Sequence, residues 1–191
     1  MDDDPQASLR VARQRYFERN GFAADGGYGA RWVQLKLGPL TAAFPNTNAR
    51  VKAVRYHDLH HVVTGYATDL TGEAEISAWE LASGCRGFVA AWLLNLSALG
   101  IGLMLAPKAL FRAFLRGRHS HNLYDARFDD PLLDERVHAV RARLGLDHGE
   151  LRATAGDRWL FAACSLLAVT TLLAQLALLA APFVGLALLC F

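Results

Sequence analysis

The last 33 residues, Trp159 to Phe191, contain no charged side chain, and 27 of them are apolar. A helix of that composition has no polar face to offer water, so it belongs in hydrocarbon or deep in a protein core. Leu160–Ala180 alone spans roughly 31 Å, the depth of a bilayer core. All 33 residues would reach about 50 Å, too long for one straight crossing and too short for two with a turn. The expectation is one transmembrane helix with a kink or re-entrant end after Ala181-Pro182. Arg152, Arg158 and Trp159 stand at its start, which suits a cytoplasmic interface. All 38 charged residues therefore lie in residues 1–158, a helical domain of ordinary soluble composition, and 159–191 is its membrane anchor.

A second apolar stretch, Phe88–Ala106, has 19 residues but carries Asn95, Ser97, Gly100 and Gly102. Ten Lys/Arg precede it and ten follow it before the tail, so a crossing would strand one basic set on the far side. It is expected to be buried in the fold or to lie against the bilayer. Next, Pro107 to Gly117 reads as a short helix with Pro at its first position and Gly at its stop. Lys108, Arg112 and Arg116 form one face and Leu110, Phe111, Phe114 and Leu115 the other, a pattern that suits a surface of anionic lipid.

The net charge of +2 and the lack of a basic run argue against a nucleic-acid partner. Cys85, Cys164 and Cys190 are too few for a disulfide scaffold. The acidic start Met1-Asp2-Asp3-Asp4-Pro5 resembles neither a secretory signal nor a transit peptide, so the expected location is the bacterial inner membrane with the domain on the cytoplasmic face.

Helical signals dominate residues 1–158. One helix is expected over Asp4–Arg19, with Leu9, Ala12, Tyr16 and Phe17 on one face and Asn20-Gly21 as its stop. Gly38-Pro39 and Pro45-Asn46 punctuate a loop region before a helix starting near Asn48. Asp130-Pro131 opens another, with Leu133, Val137, Val140 and Leu144 as its stripe and Gly145 as its cap. The fold class expected is all-α.

The chemistry is concentrated in Arg55-Tyr56-His57-Asp58-Leu59-His60-His61 and in Glu73. His57 and His61 are four apart, so on a helix they stack on one face and can close on a single metal ion. Asp58 projects to one side within reach of a third position, and an antiparallel turn would bring Glu73 back from the next helix. Two imidazoles and two carboxylates without thiolate suit Zn²⁺, Fe²⁺ or Mn²⁺. The competing reading is a polar helix surface with Glu73 as a favourable charge at a helix N-terminus. His60 points elsewhere, as support or surface. Arg118, His119 and His121 form a second polar cluster, read as a solvated loop without a catalytic role.

His57-Asp58-x-x-His61, eleven residues, then Glu73 resembles the signature motif of the coenzyme Q biosynthesis protein 4 family. Arg55-Tyr56, His61-Val62-Val63-Thr64-Gly65, and Gly72-Glu73 leading to Trp79-Glu80 are similar too, and the likeness runs from about Tyr16 to Leu146. The resemblance implies an all-α fold, a divalent metal usually taken as zinc, and a groove for a polyprenylated ring lipid. It implies a role in ubiquinone synthesis at ring carbon 1, where a carboxylate leaves and a hydroxyl is installed, and association with other quinone-biosynthesis proteins. A non-catalytic, membrane-anchored lipid-binding scaffold is the alternative, and an oligomer is compatible with either. The charge-free C-terminal stretch departs from the soluble or peripheral members of that family.

Overall fold

Eight helices and one β-hairpin make up the described part of a computed structural model, residues 4–37, 40–147, 149 and 151–189. The helices are α1 (Leu9–Arg19), α2 (Asn48–Thr64), α3 (Leu70–Ser83), α4 (Val89–Leu105), α5 (Pro107–Arg118), α6 (Asp130–Asp134), α7 (Val137–Leu144) and α8 (Ala155–Leu189). Strands β1 (Trp32–Leu37) and β2 (Leu40–Pro45) pair antiparallel between α1 and α2. Met1–Asp3, Gly38-Pro39 and the tail residues Cys190 and Phe191, all of which entered the sequence reading, lie outside the described residues.

Short polar side chains set where the helices begin. Ser8, Thr47, Asp69 and Asp129 each accept a hydrogen bond from a backbone N–H in the first turn, satisfying donors that have no partner inside the helix. The first helix therefore starts at Leu9, several residues inside the expected boundary. The helix expected from Asp130 to Leu144 is two helices. Leu9 N donates to Glu135 O and Val137 N to Ala7 O, so the backbone at 135–136 is spent on tying the N-terminal segment down rather than on continuing a helix.

The expectation of an all-α chain holds for the helical bulk and misses the hairpin. Trp32↔Pro45 and Leu37↔Leu40 mark its register. Residues 32–37 read Trp-Val-Gln-Leu-Lys-Leu, and their short period-two pattern is one that a reading centred on Gly and Pro passes over.

The core gathers where α3 lies between α4 and α5, with α1 and α2 against it. Trp79, Ile76, Leu59, Leu99, Leu110 and Phe17 are almost fully buried there. Phe88–Ala106 becomes α4, packed against α3 on one side and α8 on another. The tail becomes one continuous apolar helix, long enough to cross a membrane between Ala155 and Ala181. Helix α8 continues through Pro182 to Leu189, so the chain does not turn back there as a re-entrant end.

Arg116 departs from the lipid-facing role expected of it. Its Nη1 donates to the Thr64 carbonyl at 3.0 Å and its guanidinium lies 5.5 Å from the Tyr66 ring. Arg141 Nη1 donates to the Val63 carbonyl at 2.6 Å. The two arginines satisfy terminal carbonyls of α2 and place positive charge at its negative end. Lys108 remains exposed, and Arg112 makes none of these contacts.

Candidate metal centre

The helix that carries the histidines is held at both ends, by Thr47 at its start and by Gly65 and the two arginines at its finish. Gly65 adopts φ 79°, a left-handed conformation that reverses the chain at low cost only without a Cβ. Five residues later α3 begins, capped by Asp69. A Cβ on Gly72 would collide with the Ala67 carbonyl, so only glycine lets the connection close so tightly. These two glycines bring Glu73 back to the face of α2 that bears His57 and His61.

There His57 Nε2 and His61 Nε2 stand 3.2 Å apart, with Glu73 Oε2 3.3 Å from the first and Glu73 Oε1 3.4 Å from the second. One potential ligand atom from each residue lies within 4.8 Å of the others, a group that could hold a metal ion. The opposite ring nitrogens are already committed. His61 Nδ1 lies 3.0 Å from the Tyr66 carbonyl, which can only accept, so that nitrogen carries hydrogen. His57 Nδ1 lies 2.9 Å from Glu80 Oε1, again an acceptor. Both Nε2 lone pairs are thereby aimed inward at one point, the orientation that metal-ligating imidazoles take from their outer hydrogen-bond partners. At 3.2 Å the two Nε2 atoms are close enough to share a proton or to hold a metal ion between them.

Glu80 is the buried support of this arrangement. Its Oε1 accepts from His57 and, at 2.7 Å, from His60 Nδ1; its Oε2 accepts from Asn95 Nδ2 at 2.6 Å and Tyr124 Oη at 2.7 Å. His60 is fixed as the Nδ1–H form because the Leu123 N–H donates to its Nε2 at 3.0 Å. Four donors on a fully buried carboxylate explain how the charge survives without solvent. Burial pushes the Glu80 pKa up, but His57 and His60 more than reverse that and hold it well below the ordinary range. Burial alone would lower the His57 pKa, yet Glu80 and Glu73 raise it well above 6.5. For Glu73 burial is again overcome, here by hydrogen bonds from His57 and His61, and its pKa falls to about 2. His60 goes the other way, lowered by burial.

Asp58 is buried and close by but does not join the three. It accepts from the Tyr28 hydroxyl at 2.5 Å, and burial raises its pKa. Tyr28 is steadied by the Arg55 guanidinium 5.3 Å from its ring. The structure thus brings together His57, His61 and Glu73 and leaves Asp58 paired with a tyrosine from the loop before β1. With 40% of its side chain accessible, Glu73 is the most open of the three, so a ligand would reach the point from its side. In the second polar cluster, Ser120 accepts from Trp79 Nε1 and the His121 N–H donates to the Leu144 carbonyl, contacts of a structural connection.

Sequence reasoning named Glu80 only within the resemblance and gave it no role, and it did not find Tyr28 or the Tyr66 carbonyl. Glu80 was findable, because Glu73 and Glu80 are seven apart and share a face of α3 across two turns. Tyr28 reaches Asp58 from 30 residues away in an irregular loop, and no spacing announces that.

The donor set, two neutral imidazoles and a carboxylate, fits a divalent ion of the zinc, iron or manganese type. Metal binding needs His57 free of the proton that its raised pKa favours. Zinc affinity of the purified chain is therefore expected to fall about tenfold per pH unit below the His57 pKa and to level off above it. Competition against a chelator between about pH 5.5 and 8.5 checks this. A flat profile from about pH 6 to 8 would mean that the proton and the metal do not share the point.

Comparison with protein-family models, curated proteins and solved structures finds no match to this chain.

Proposed function

We propose that the chain is a metal-dependent protein of ubiquinone biosynthesis, acting at ring carbon 1 of a polyprenylated hydroxybenzoate at the cytoplasmic face of the bacterial inner membrane. What supports the metal half is one observation, the two Nε2 lone pairs aimed at a common point beside Glu73 with both Nδ1 atoms already bonded. What supports the quinone half is the motif resemblance of His57, Asp58, His61 and Glu73, together with the long apolar α8, since a prenylated substrate resides in the bilayer.

In this reading His57, His61 and Glu73 would hold the ion, most simply zinc, while Asp58 Oδ2 stays with the Tyr28 hydroxyl. When bound, the ion would supply Lewis acidity to an oxygen of the head group, and loss of the carboxylate as carbon dioxide would leave its electron pair on ring carbon 1 to be taken up by a proton. Glu80 keeps the His57 ring turned toward the point. The Tyr66 carbonyl does the same for His61. Tyr16, stacked on His61 with ring centroids 5.5 Å apart, shields that imidazole from water. The second reading, a non-catalytic lipid-binding scaffold among other quinone-biosynthesis proteins, is favoured by the apolar surface on α4 and α8, which includes Val89, Met104 and Leu178.

The test is deletion of the gene followed by mass spectrometry of prenylated intermediates. Accumulation of a ring that still carries its carboxylate is the expected result. Broad loss of every late intermediate would transfer the assignment to the scaffold, and an unchanged quinone pool would overturn both.

A further inference from the structure

Helix α8 is docked along α4, and the way it is docked restricts how the chain meets a bilayer. The two run antiparallel. Phe161 packs on Phe111 and Phe114 of α5, just beyond the C-terminal end of α4, with ring centroids 5.2 and 5.3 Å apart. Further along α8, Ala168 is fully buried against the domain, and near the middle of α4 Ser97 Oγ donates to Gln175 Oε1 at 2.8 Å. From Phe161 to Gln175, α8 is thus held first to α5 and then to α4 over about 21 Å. On the opposite side of α4 lies α3, joined to it through Ser77 Oγ to Asn95 Oδ1 at 3.2 Å and through Asn95 to the buried Glu80.

If α8 stood along the membrane normal with this packing intact, α4 and α3 would enter the hydrocarbon beside it. Glu73 and Glu75, the half-buried carboxylates of α3, would follow. Charged side chains at that depth cost several kcal/mol each. A helix lying within one leaflet escapes the cost. Its backbone is internally satisfied, and its diameter of about 10 Å fits within the roughly 15 Å of hydrocarbon in one leaflet. The surface chemistry agrees. Val89, Leu93, Ile101 and Met104 on α4 and Leu166 and Leu178 on α8 are exposed. Basic residues flank α4 at both ends, Lys108 and Arg112 after it and, before it, Arg86, which is half exposed and paired with Asp125 at 2.7 Å. Held in the plane, both ends meet anionic head groups of the same leaflet, and no basic set is stranded across the membrane.

We propose that α4 and α8 form a membrane-embedded pair lying in the plane of a single leaflet, so that the apolar C-terminal helix holds the domain to anionic lipid without crossing the bilayer. The proposal rests on the membrane part of the reading above and is independent of its metal and quinone parts.

The test uses the full chain carrying Cys85→Ala, Cys164→Ala and Cys190→Ala, with one nitroxide-labelled cysteine at a time from Leu93→Cys, Met104→Cys, Leu166→Cys or Leu178→Cys. The protein is reconstituted into vesicles of phosphatidylethanolamine and phosphatidylglycerol. Accessibility to oxygen and to a water-soluble nickel complex gives the depth of each label. Positions 93 and 104, which share a face of α4, should agree in depth within about 5 Å, and positions 166 and 178, which face about 120° apart on α8, within about one helix diameter of 10 Å. A crossing α8 would separate positions 166 and 178 by about 18 Å along the normal and overturn the proposal. Labels shielded from oxygen and broadened by mutual spin coupling would overturn it in favour of a second copy on this face. Should the cysteine-free variant fail to fold, the native chain with a polar C-terminal tag decides the question. In vesicles with the domain outside, external protease should remove the tag, and protection of the tag would show a crossing.

Discussion

Replacing Glu80 with alanine is expected to lower the stability of the folded chain by about 3–5 kcal/mol, the cost of breaking a buried, paired charge by removing one partner. Asn95, Tyr124, His57 and His60 would each lose an acceptor in a region without water. The dominant loss is the stranding of those donors rather than the removal of one attractive pair. Thermal or urea unfolding followed by circular dichroism measures it. Glu80→Gln separates shape from charge: it fills the same space but turns an NH₂ toward donors that need an acceptor. Glu80→Gln protein that folds should bind zinc about 10–100-fold more weakly, because His57 is no longer held with its Nε2 inward. A Glu80→Ala protein destabilised by less than about 1 kcal/mol would mean that water or a rearranged side chain replaces the carboxylate.

The second large effect is expected at the proposed ligands. His57→Ala and Glu73→Ala should each abolish stoichiometric zinc binding, measured by elemental analysis after dialysis, and should stop quinone production in a complemented deletion strain. The two differ in their effect on the fold. His57 also donates to Glu80, so its loss removes one of four supporting bonds. Glu73 is more open and serves the central point only, so Glu73→Gln should lose metal while its unfolding transition stays within about 0.5 kcal/mol of the parent. That variant keeps the experiment interpretable if His57→Ala folds poorly. Quinone synthesis by a metal-free but folded Glu73→Gln protein would defeat the catalytic reading.

Much of the site was readable from spacing because helices convert spacing into direction. His57 and His61 share a face because they are four residues apart, and the caps at Thr47, Gly65 and Asp69 are signals of the ordinary kind. The pairing of α2 with α3, which returns Glu73, follows from a short connection with glycine at both turns of the chain. Asp58 illustrates the limit. Its position on α2 follows from the sequence, but its partner does not, because a tyrosine from a distant loop competes for the carboxylate. The hairpin escaped for another reason: six alternating residues beside a Gly-Pro pair look like loop when helical periodicity is the pattern sought. Composition identified the apolar tail, but only the packing of α8 on α4 bears on its direction in a bilayer.

The tight connection between α2 and α3 also bears on the order in which the centre can assemble. His57, His61 and Glu73 fall within 17 consecutive residues, so bringing them together closes one short loop and costs little chain entropy. The groups that complete Glu80 come from Asn95 and Tyr124, 15 and 44 residues further on, and wait for α4 and for the segment after α5. The inner set therefore lies within one helical hairpin. The outer set is a tertiary product that locks it. An ion captured at the hairpin stage would favour the native pairing of α2 with α3 from the outset of folding.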